Sequence, residues 1–587
     1  MTIQSRWSAP IEKCSLPHWI FGSACGPLSD KKLYIDPERP ETHFLTKSDY
    51  RLLAKRVALG LLDAGLQRGD RVLLFSPNHL CFPPLFLGIL MAGGIFTGAN
   101  PSYVPRELAH QLSDSGARFM VTEAGSLPTA LETANMVGLP ASQIYVLDRF
   151  EDTPANIAQT NSVPRPTSTT ESIRSGQEKH GLQGVHHWMD LVDGNLKRAE
   201  TWEWTEPADP ETTTCCLNYS SGTTGVPKGV EISHHSYVAN GTGVVAMAKQ
   251  APDDEEVRKR SIGLCFLPLY HVYGQSYYVA TFAYREVTTY MMPRFDFEKM
   301  LQHIQRFRVT GLTLVPPIAV ALSKHPLARR YDLSSIETVN CGAAPLSNDS
   351  AVAVERLWPP ERGIVLRQGW GMTEVTCTCL GWGHTTKKNG EGQPVGELVP
   401  NCAARLVEVP EDGSSVSGGR PPVFITEPNR PGELWVTGPT LLRSYWHRPD
   451  DTAATVYVDP ADGIRWLRTG DIAYVDRYEP GALFFIVDRL KELIKVKGNQ
   501  VAPAELEALL LERPDISDAA VVGVRIDGEE RPRAYVVRVP GSKATGDEIA
   551  RWMATRTSPF KRLAGGVVFV DNIPKNPVRI SRLFLLS

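Results

Sequence analysis

One segment of this chain groups the residue types that phosphate chemistry needs. It reads Tyr219-Ser220-Ser221-Gly222-Thr223-Thr224-Gly225-Val226-Pro227-Lys228-Gly229-Val230. Residues Ser220 to Val226 are all small or β-branched, and four of them carry hydroxyls. Such a run cannot bury an apolar face, so it is a loop. It gathers backbone N–H groups, hydroxyls and one cation into a short span, which suits a phosphate. The β-branched and apolar run Thr212 to Asn218 reads as a strand before it, and the run from Ser233 as a helix after it. Strand, glycine-rich loop, helix is the usual setting for a phosphate cradle. A Walker A loop is excluded, because Lys228 stands between Pro227 and Gly229 and not in Gly-Lys-Ser/Thr. A flexible linker is the bland alternative, and linkers seldom carry a lone Lys between Pro and Gly after an ordered strand.

The elements that must hold this loop are those of a large α/β protein. The 587 residues exceed one core, so two or more domains are expected. Strand-like Arg71-Val72-Leu73-Leu74-Phe75 and Phe119-Met120-Val121-Thr122 alternate with an amphipathic helix from Tyr50 to Leu66. That alternation predicts parallel sheets covered by helices. The apolar stretch Leu80 to Thr97 is short for a membrane span and is broken by Pro83-Pro84 and Gly93-Gly94, so it predicts a buried helix running into a strand. Residues from about Asp152 to Gly184 are polar, as is the turn-rich stretch Glu411 to Pro431; both read as solvated excursions. From Val487 onward a new pattern begins. A helix is predicted over Pro503 to Glu512, with strands over Ala519 to Val524 and Ala534 to Val539, making a self-contained α+β unit of about one hundred residues.

Net charge is −3, which gives no reason to expect nucleic acid or an anionic membrane as a partner. The ten cysteines are scattered. Cys377-x-Cys379 near His384 lacks a second pair at matching distance, so reduced, buried thiols are expected over a metal site. Met1 to Cys14 has no apolar core and does not read as a signal peptide, and Leu585-Leu586-Ser587 is not a peroxisomal address. The expectation is a cytoplasmic protein without stable membrane insertion. Gly241-Thr242-Gly243-Val244-Val245-Ala246 satisfies a dinucleotide fingerprint but sits within a helical stretch, and Ser558-Pro559-Phe560-Lys561 lacks its companion motifs; both are set aside.

The phosphate loop closely resembles that of the adenylate-forming superfamily: acyl-CoA synthetases, 4-coumarate–CoA ligases, luciferases and nonribosomal adenylation domains. Five further segments match this superfamily in order. They are Leu267-Pro268-Leu269-Tyr270-His271-Val272-Tyr273-Gly274, Gly342-Ala343-Ala344-Pro345-Leu346, Gln368-Gly369-Trp370-Gly371-Met372-Thr373-Glu374, Thr469-Gly470-Asp471, and the run from Arg489 to Gln500. The resemblance implies that Ser220, Ser221, Gly222, Thr223, Thr224, Gly225 and Lys228 cradle the phosphates of ATP. His271 and Tyr273, with Gly342, would line the acid pocket. Gly342, Ala343 and Ala344 would lie along adenine, where small residues let backbone approach a flat ligand. Gln368, Gly369 and Gly371 flank Trp370, an aromatic suited to stacking on a base, where the family usually has Tyr. Thr373 would touch the α-phosphate, and Glu374 would hold Mg²⁺, a hard cation bound by carboxylates and phosphate oxygens. Asp471 would bond both ribose hydroxyls, and Arg489 is the matching basic contact. Lys491 stands at the family's hinge. Lys495, Lys497, Gly498 and Gln500 match positions of the thioester step or of CoA contacts.

The implied fold is α/β: a large N-terminal domain of stacked α/β sheets plus a β lobe over residues 1–487, and a small mobile α+β C-terminal domain over 488–587. The implied activity is ATP-dependent ligation of an aryl or fatty acid to CoA, with ATP, Mg²⁺ and CoA taking part. An acyl carrier protein or an amine is the alternative acceptor, and a nucleotide-binding relative impaired in adenylation is a third reading. One motif departs from the pattern. The family closes with Pro-Lys-(Ser/Asn)-Pro-Ser/Thr-Gly-Lys-Ile, where this chain reads Pro574-Lys575-Asn576-Pro577-Val578-Arg579-Ile580. One residue is missing and the adenylation lysine becomes Arg579, which is planar and fits a point-charge site less well. Losing one preorganised donor of this kind costs roughly 2.7–4 kcal/mol. Arg579 substitutes, Lys575 or Arg582 steps in, or adenylation is slow.

Overall fold

A computed structural model describes the chain except for residues 148–153, 160–183, 221–226, 388–391, 410–420, 491, 497–498, 527–528, 558, 574, 577–578 and 581–587. Two α/β sheets stack to form the body of the large domain. In the first, the strands Arg71–Phe75, Ile95–Ala99, Phe119–Glu123 and Ile144–Leu147 run parallel. The expected strand at Arg71 to Phe75 is found with those bounds. Next to Ile95–Ala99 lie Thr214–Ser220 and, antiparallel to it, Lys228–Ser233. The second sheet orders Leu366–Gln368, Thr338–Cys341, Gly311–Leu314, Ile262–Cys265 and Thr288–Met291 in parallel register, with Lys32–Ile35 and Phe44–Thr46 at the far edge.

The helix Phe82–Met91 is buried along its whole length and runs into the strand Ile95–Ala99. A helix apolar on all sides belongs in a core, which is why this stretch does not need a membrane. No helix among the described residues is long and apolar enough to cross one. The amphipathic helix spans Lys47–Asp63, three residues earlier than its apolar spacing alone predicts. The reason is its cap: Thr46 accepts the Asp49 N–H while Asp49 accepts the Thr46 N–H, a reciprocal box that fixes the start.

A third, antiparallel sheet forms the β lobe from Ala403–Val407, Gly432–Thr437, Arg465–Val475 and Phe484–Arg489. Ile3–Gln4 joins its edge. Beyond it, Ile494, Val501, Leu506, Leu510, Ile516 and Val521 belong to a separate core. The helices Pro503–Leu511 and Gly546–Ala554 accompany the strands Ile516–Ile526, Glu529–Arg538 and Val567–Phe569. This is the expected α+β unit, with both strands longer than predicted. All ten cysteines are free thiols and nine are buried. Among the described residues, no cluster of three or more His, Cys, Asp or Glu could hold a metal. Gly241 lies inside the helix His234–Ala248, where a Cβ would meet the Trp19 ring at 2.4 Å, so its absence of a side chain serves packing.

Candidate active site

The phosphate-type loop does not lead into a helix. Lys228–Ser233 pairs antiparallel with Thr214–Ser220, Ser220 opposite Lys228. The helix expected from Ser233 is found as His234–Ala248 with Ser233 as its N-cap, after this second strand. The sequence reading passed over the run Lys228-Gly229-Val230-Glu231-Ile232, which is buried between the strands Thr214–Ser220 and Ser444–Tyr445. Ser221, Gly222, Thr223, Thr224 and Gly225 lie outside the described residues.

At the hairpin's base stand its two chemical ends. Lys228 is 5% exposed, its Nζ ion-pairs with Asp451, and it lies 5.3 Å from the Tyr445 ring centroid. Ser220 Oγ donates to Glu374 Oε1 at 2.9 Å, and the Tyr445 hydroxyl donates to the same oxygen at 2.9 Å. Beside Glu374, burial pushes the Tyr445 hydroxyl pKa well up, with the carboxylate's charge adding to it. Glu374 is buried, and its Oε2 has no donor among the described residues. A buried carboxylate with one oxygen oriented by two hydroxyls and the other open fits a hard divalent cation.

These residues line a cavity of about 710 Å³, together with His271, Tyr273, Gly342, Ala343, Gly369, Trp370, Gly371, Thr373 and Arg489. Pockets of 300–1,000 Å³ are the usual size for small ligands. A second cavity of about 1040 Å³ shares the wall formed by Ala343, Gly369, Trp370, Gly371 and Arg489. Ala344, Gln368 and Asp471 line this second space, which extends to Ala502, Ala504 and Glu505 near the start of the small domain's helix.

The expected base-stacking residue and the expected ribose acid are one unit. Trp370 Nε1 donates to Asp471 Oδ2 at 2.8 Å. Arg489 Nε lies 2.9 Å from Asp471 Oδ1, because Asp471 and Arg489 are register partners on adjacent strands. Burial works against the Arg489 charge, yet Asp471, Glu492 and Glu374 together raise its pKa. Underneath, the buried Glu433 accepts the Gly470 N–H at 3.2 Å, and burial raises its carboxyl pKa.

Tyr273 and Tyr277 meet edge to face, 5.2 Å between centroids, on the cavity's other side. Both come from one helical run in which Gln275–Thr281 is wound as a π-helix. Such insertions are frequent at functional sites. Tyr278 is instead core, its hydroxyl donating to the Leu264 carbonyl.

His271 caps this run, its Nδ1 accepting the Tyr273 N–H at 3.2 Å. Burial pushes its pKa down to about 4, so it is a neutral wall of the pocket at neutral pH. His234, deeper in the fold, accepts the Leu16 N–H at Nδ1 and is likewise pushed down to about 4 by burial, with Glu206 opposing. An unfolded histidine titrates near 6.5. Between pH 6.5 and 4 the unfolded chain therefore binds protons that the folded one does not. Stability is full above 6.5, falls as the pH drops through this window and levels off below it. The His234 share is on the order of 3 kcal/mol; His271 opens on the cavity and contributes less. Urea unfolding at pH 7.5 and 4.5 is expected to show the loss, and His234→Asn, which keeps an acceptor in place of Nδ1, is expected to reduce it. An equal loss in the variant would contradict the assignment.

Of the thioester and hinge positions, Lys495 and Gln500 are register partners in the hairpin Ile494–Val496 and Asn499–Val501. Lys491, Lys497 and Gly498 lie outside the described residues. Arg579 sits in the short strand Arg579–Ile580, opposite Asn576. Sequence reasoning missed Asp451, Tyr445 and Glu433. Asp450-Asp451 open the helix Pro449–Thr455, where acidic residues are ordinary, so no local signal marks Asp451 as the partner of Lys228.

The chain matches known proteins over most of its length. The profile described as AMP-binding enzyme matches residues 26–446, and the AMP-binding enzyme C-terminal domain matches 505–578. A 4-coumarate–CoA ligase of Petroselinum crispum is 34% identical over 558 residues, 94% of this chain and 89% of its own length. A phenylacetyl-CoA ligase of Aspergillus niger is 32% identical over 583 residues, 98% of this chain and 97% of its own. Among solved structures, ATP-bound MatB from Rhodopseudomonas palustris has the same fold, with TM-score 0.75 at 22% identity over 98% of each chain.

Proposed function

The chain belongs to the AMP-binding enzyme family and is a ligase of the acyl-CoA synthetase type; from that premise we propose that it activates an aryl or fatty acid with ATP as an acyl-adenylate and passes the acyl group to CoA. The observation that supports this most is the sharing of one cavity by a phosphate end and an acid end. Lys228, Ser220, Thr373 and Glu374 line the first, and His271, Tyr273 and Tyr277 the second.

In this reading an acid carboxylate oxygen attacks the α-phosphorus, and the bond to the pyrophosphate oxygen breaks. Lys228 exchanges its Asp451 partner for a phosphate and stabilises charge there. Glu374 is the residue that would hold Mg²⁺, which supplies charge neutralisation at the phosphates. Trp370 stacks on the base while Asp471 takes the ribose hydroxyls. His271 and the tyrosines keep the carboxylate oriented and water out, so the chemistry is mostly positioning. Arg579 brings the cation of the last motif. The small domain then turns about Lys491 and presents Lys495 and Gln500 to CoA. The thiol sulfur attacks the acyl carbonyl, its proton is lost, and AMP leaves.

Incubated with ATP and a panel of aryl and fatty acids, the protein should release pyrophosphate only with Mg²⁺ and form acyl-CoA seen by mass. Lys228→Ala is expected to slow pyrophosphate release by about 10²-fold, as for loss of one preorganised donor. Release undiminished in excess chelator would sink the Mg²⁺ assignment. Acyl-adenylate without thioester would favour a carrier protein or amine as acceptor, and ATP binding without turnover would favour the adenylation-impaired reading.

A further inference from the structure

One guanidinium that lines the cavity, that of Arg367, has no acidic partner among the described residues. The strands Thr338–Cys341 and Leu366–Gln368 run parallel, with Asn340 opposite Arg367. Both strands lead at their C-terminal ends into the nucleotide side of the cavity, through Gly342-Ala343 and Gly369-Trp370. Arg367 and Asn340 each stand two residues back from those glycines, and Thr338 two further. At about 3.3 Å of rise per residue, they are roughly 7–13 Å deeper along the strands.

Thr338, Asn340 and Arg367 are exposed and line the cavity. The Arg367 guanidinium has no ion pair or hydrogen bond among the described residues, and no acidic group stands close enough to act on its charge. A second guanidinium of the same cavity, Arg285, gives Nη2 to Asp254 at 2.6 Å and leaves Nη1 buried without a partner among the described residues. Arg285 therefore has a carboxylate partner in Asp254, while Arg367 has none among the described residues.

A guanidinium is always charged, and its planar fork matches a carboxylate. Resting on the acid-ligase reading above, we propose that the acid taken by this site carries a second carboxylate at its remote end, held by Arg367 with the Asn340 amide beside it. The first carboxylate is the one activated; the second stays bound and sets which acids are accepted. Arg367 is then a specificity-determining residue and takes no part in bond making.

The test compares matched acids by acyl-CoA formation: octanedioate with octanoate, and 4-carboxycinnamate with 4-methylcinnamate. In the natural protein the dicarboxylate of at least one pair is expected to have the higher kcat/KM. Arg367→Met is expected to lower that preference ten- to a hundredfold, the range of a hydrogen bond to a charged group, mainly through KM. Arg367→Lys is expected to restore part of it, and Asn340→Leu to lower it less. The preference is a ratio within one preparation, so a partly unfolded variant does not imitate the result. If the monoacids are turned over and neither dicarboxylate is preferred, or if Arg367→Met leaves the ratio unchanged, this inference is overturned while the ligase reading stands. If no acid of the panel forms acyl-CoA, both fall.

Discussion

Gly371→Ala is expected to destabilise the large domain by more than about 4 kcal/mol, while Gly369→Ala, two residues away, unfolds at the same urea concentration as the natural protein. A Cβ at Gly371 would stand 1.5 Å from the Cys377 carbonyl oxygen and 2.5 Å from its carbon. Those are backbone atoms, so no side chain can swing aside. The strand Trp370–Met372 pairs with Cys377–Gly381 around a turn in which Thr376 and Cys377 both have positive φ, 53° and 99°. That turn already holds strained backbone at non-glycine residues, at a cost of about 1–3 kcal/mol each. It has no slack with which to admit a methyl group. Overpacking usually costs about 1–3 kcal/mol, and more where the backbone cannot move. At Gly369 the nearest atom to a Cβ is the Leu380 oxygen at 3.4 Å, an ordinary contact. Since Gly369 lines both cavities, its alanine variant should fold and bind ATP more weakly. Equal urea midpoints for Gly371→Ala and the natural protein would refute the argument.

The two glycines also mark what sequence can and cannot say. Motif order places Gly342 along a flat ligand, for close backbone approach, and Gly369 and Gly371 on either side of the stacking ring of Trp370. The structure divides them. Gly371 is constrained by Cys377, Gly342 by the Tyr273 hydroxyl at 3.1 Å from a Cβ, and only Gly369 has an open side. Local patterns such as Arg71–Phe75 and Phe82–Met91 are legible because periodicity and length are local properties. The hairpin carrying Lys228 was not, because its second strand, Lys228–Ser233, is defined by neighbours at Thr214–Ser220 and Ser444–Tyr445 and not by its own alternation. Partner choice is the least legible layer. Lys228 meets Asp451 across 223 residues, and Trp370 meets Asp471 across 101. A motif names each residue without naming what holds it.

That last pairing carries the second large effect. Asp471→Asn is expected to lower kcat/KM for ATP in pyrophosphate release by about 10²-fold, about 3 kcal/mol, and to lower stability by a similar amount. Asp471 is 4% exposed, and its two oxygens are divided between Trp370 Nε1 and the Arg489 side chain. The amide keeps one acceptor oxygen and replaces the other with a donor. If the oxygen stays with Trp370, an NH₂ faces the guanidinium, and a cation that burial already disfavours loses its nearest opposite charge. Removing one partner of a buried ion pair costs about 3–5 kcal/mol, and the partial exposure of Arg489 places this site at the low end. If the amide turns, Trp370 loses its acceptor and the indole is no longer fixed. Trp370→Phe removes that demand, so the double variant should lose less than the sum of the two, with a coupling of about 0.5–3 kcal/mol. Strict additivity would mean that the ring and the carboxylate act on the nucleotide separately. Coupling would mean that Asp471 acts on the proposed base site through Trp370.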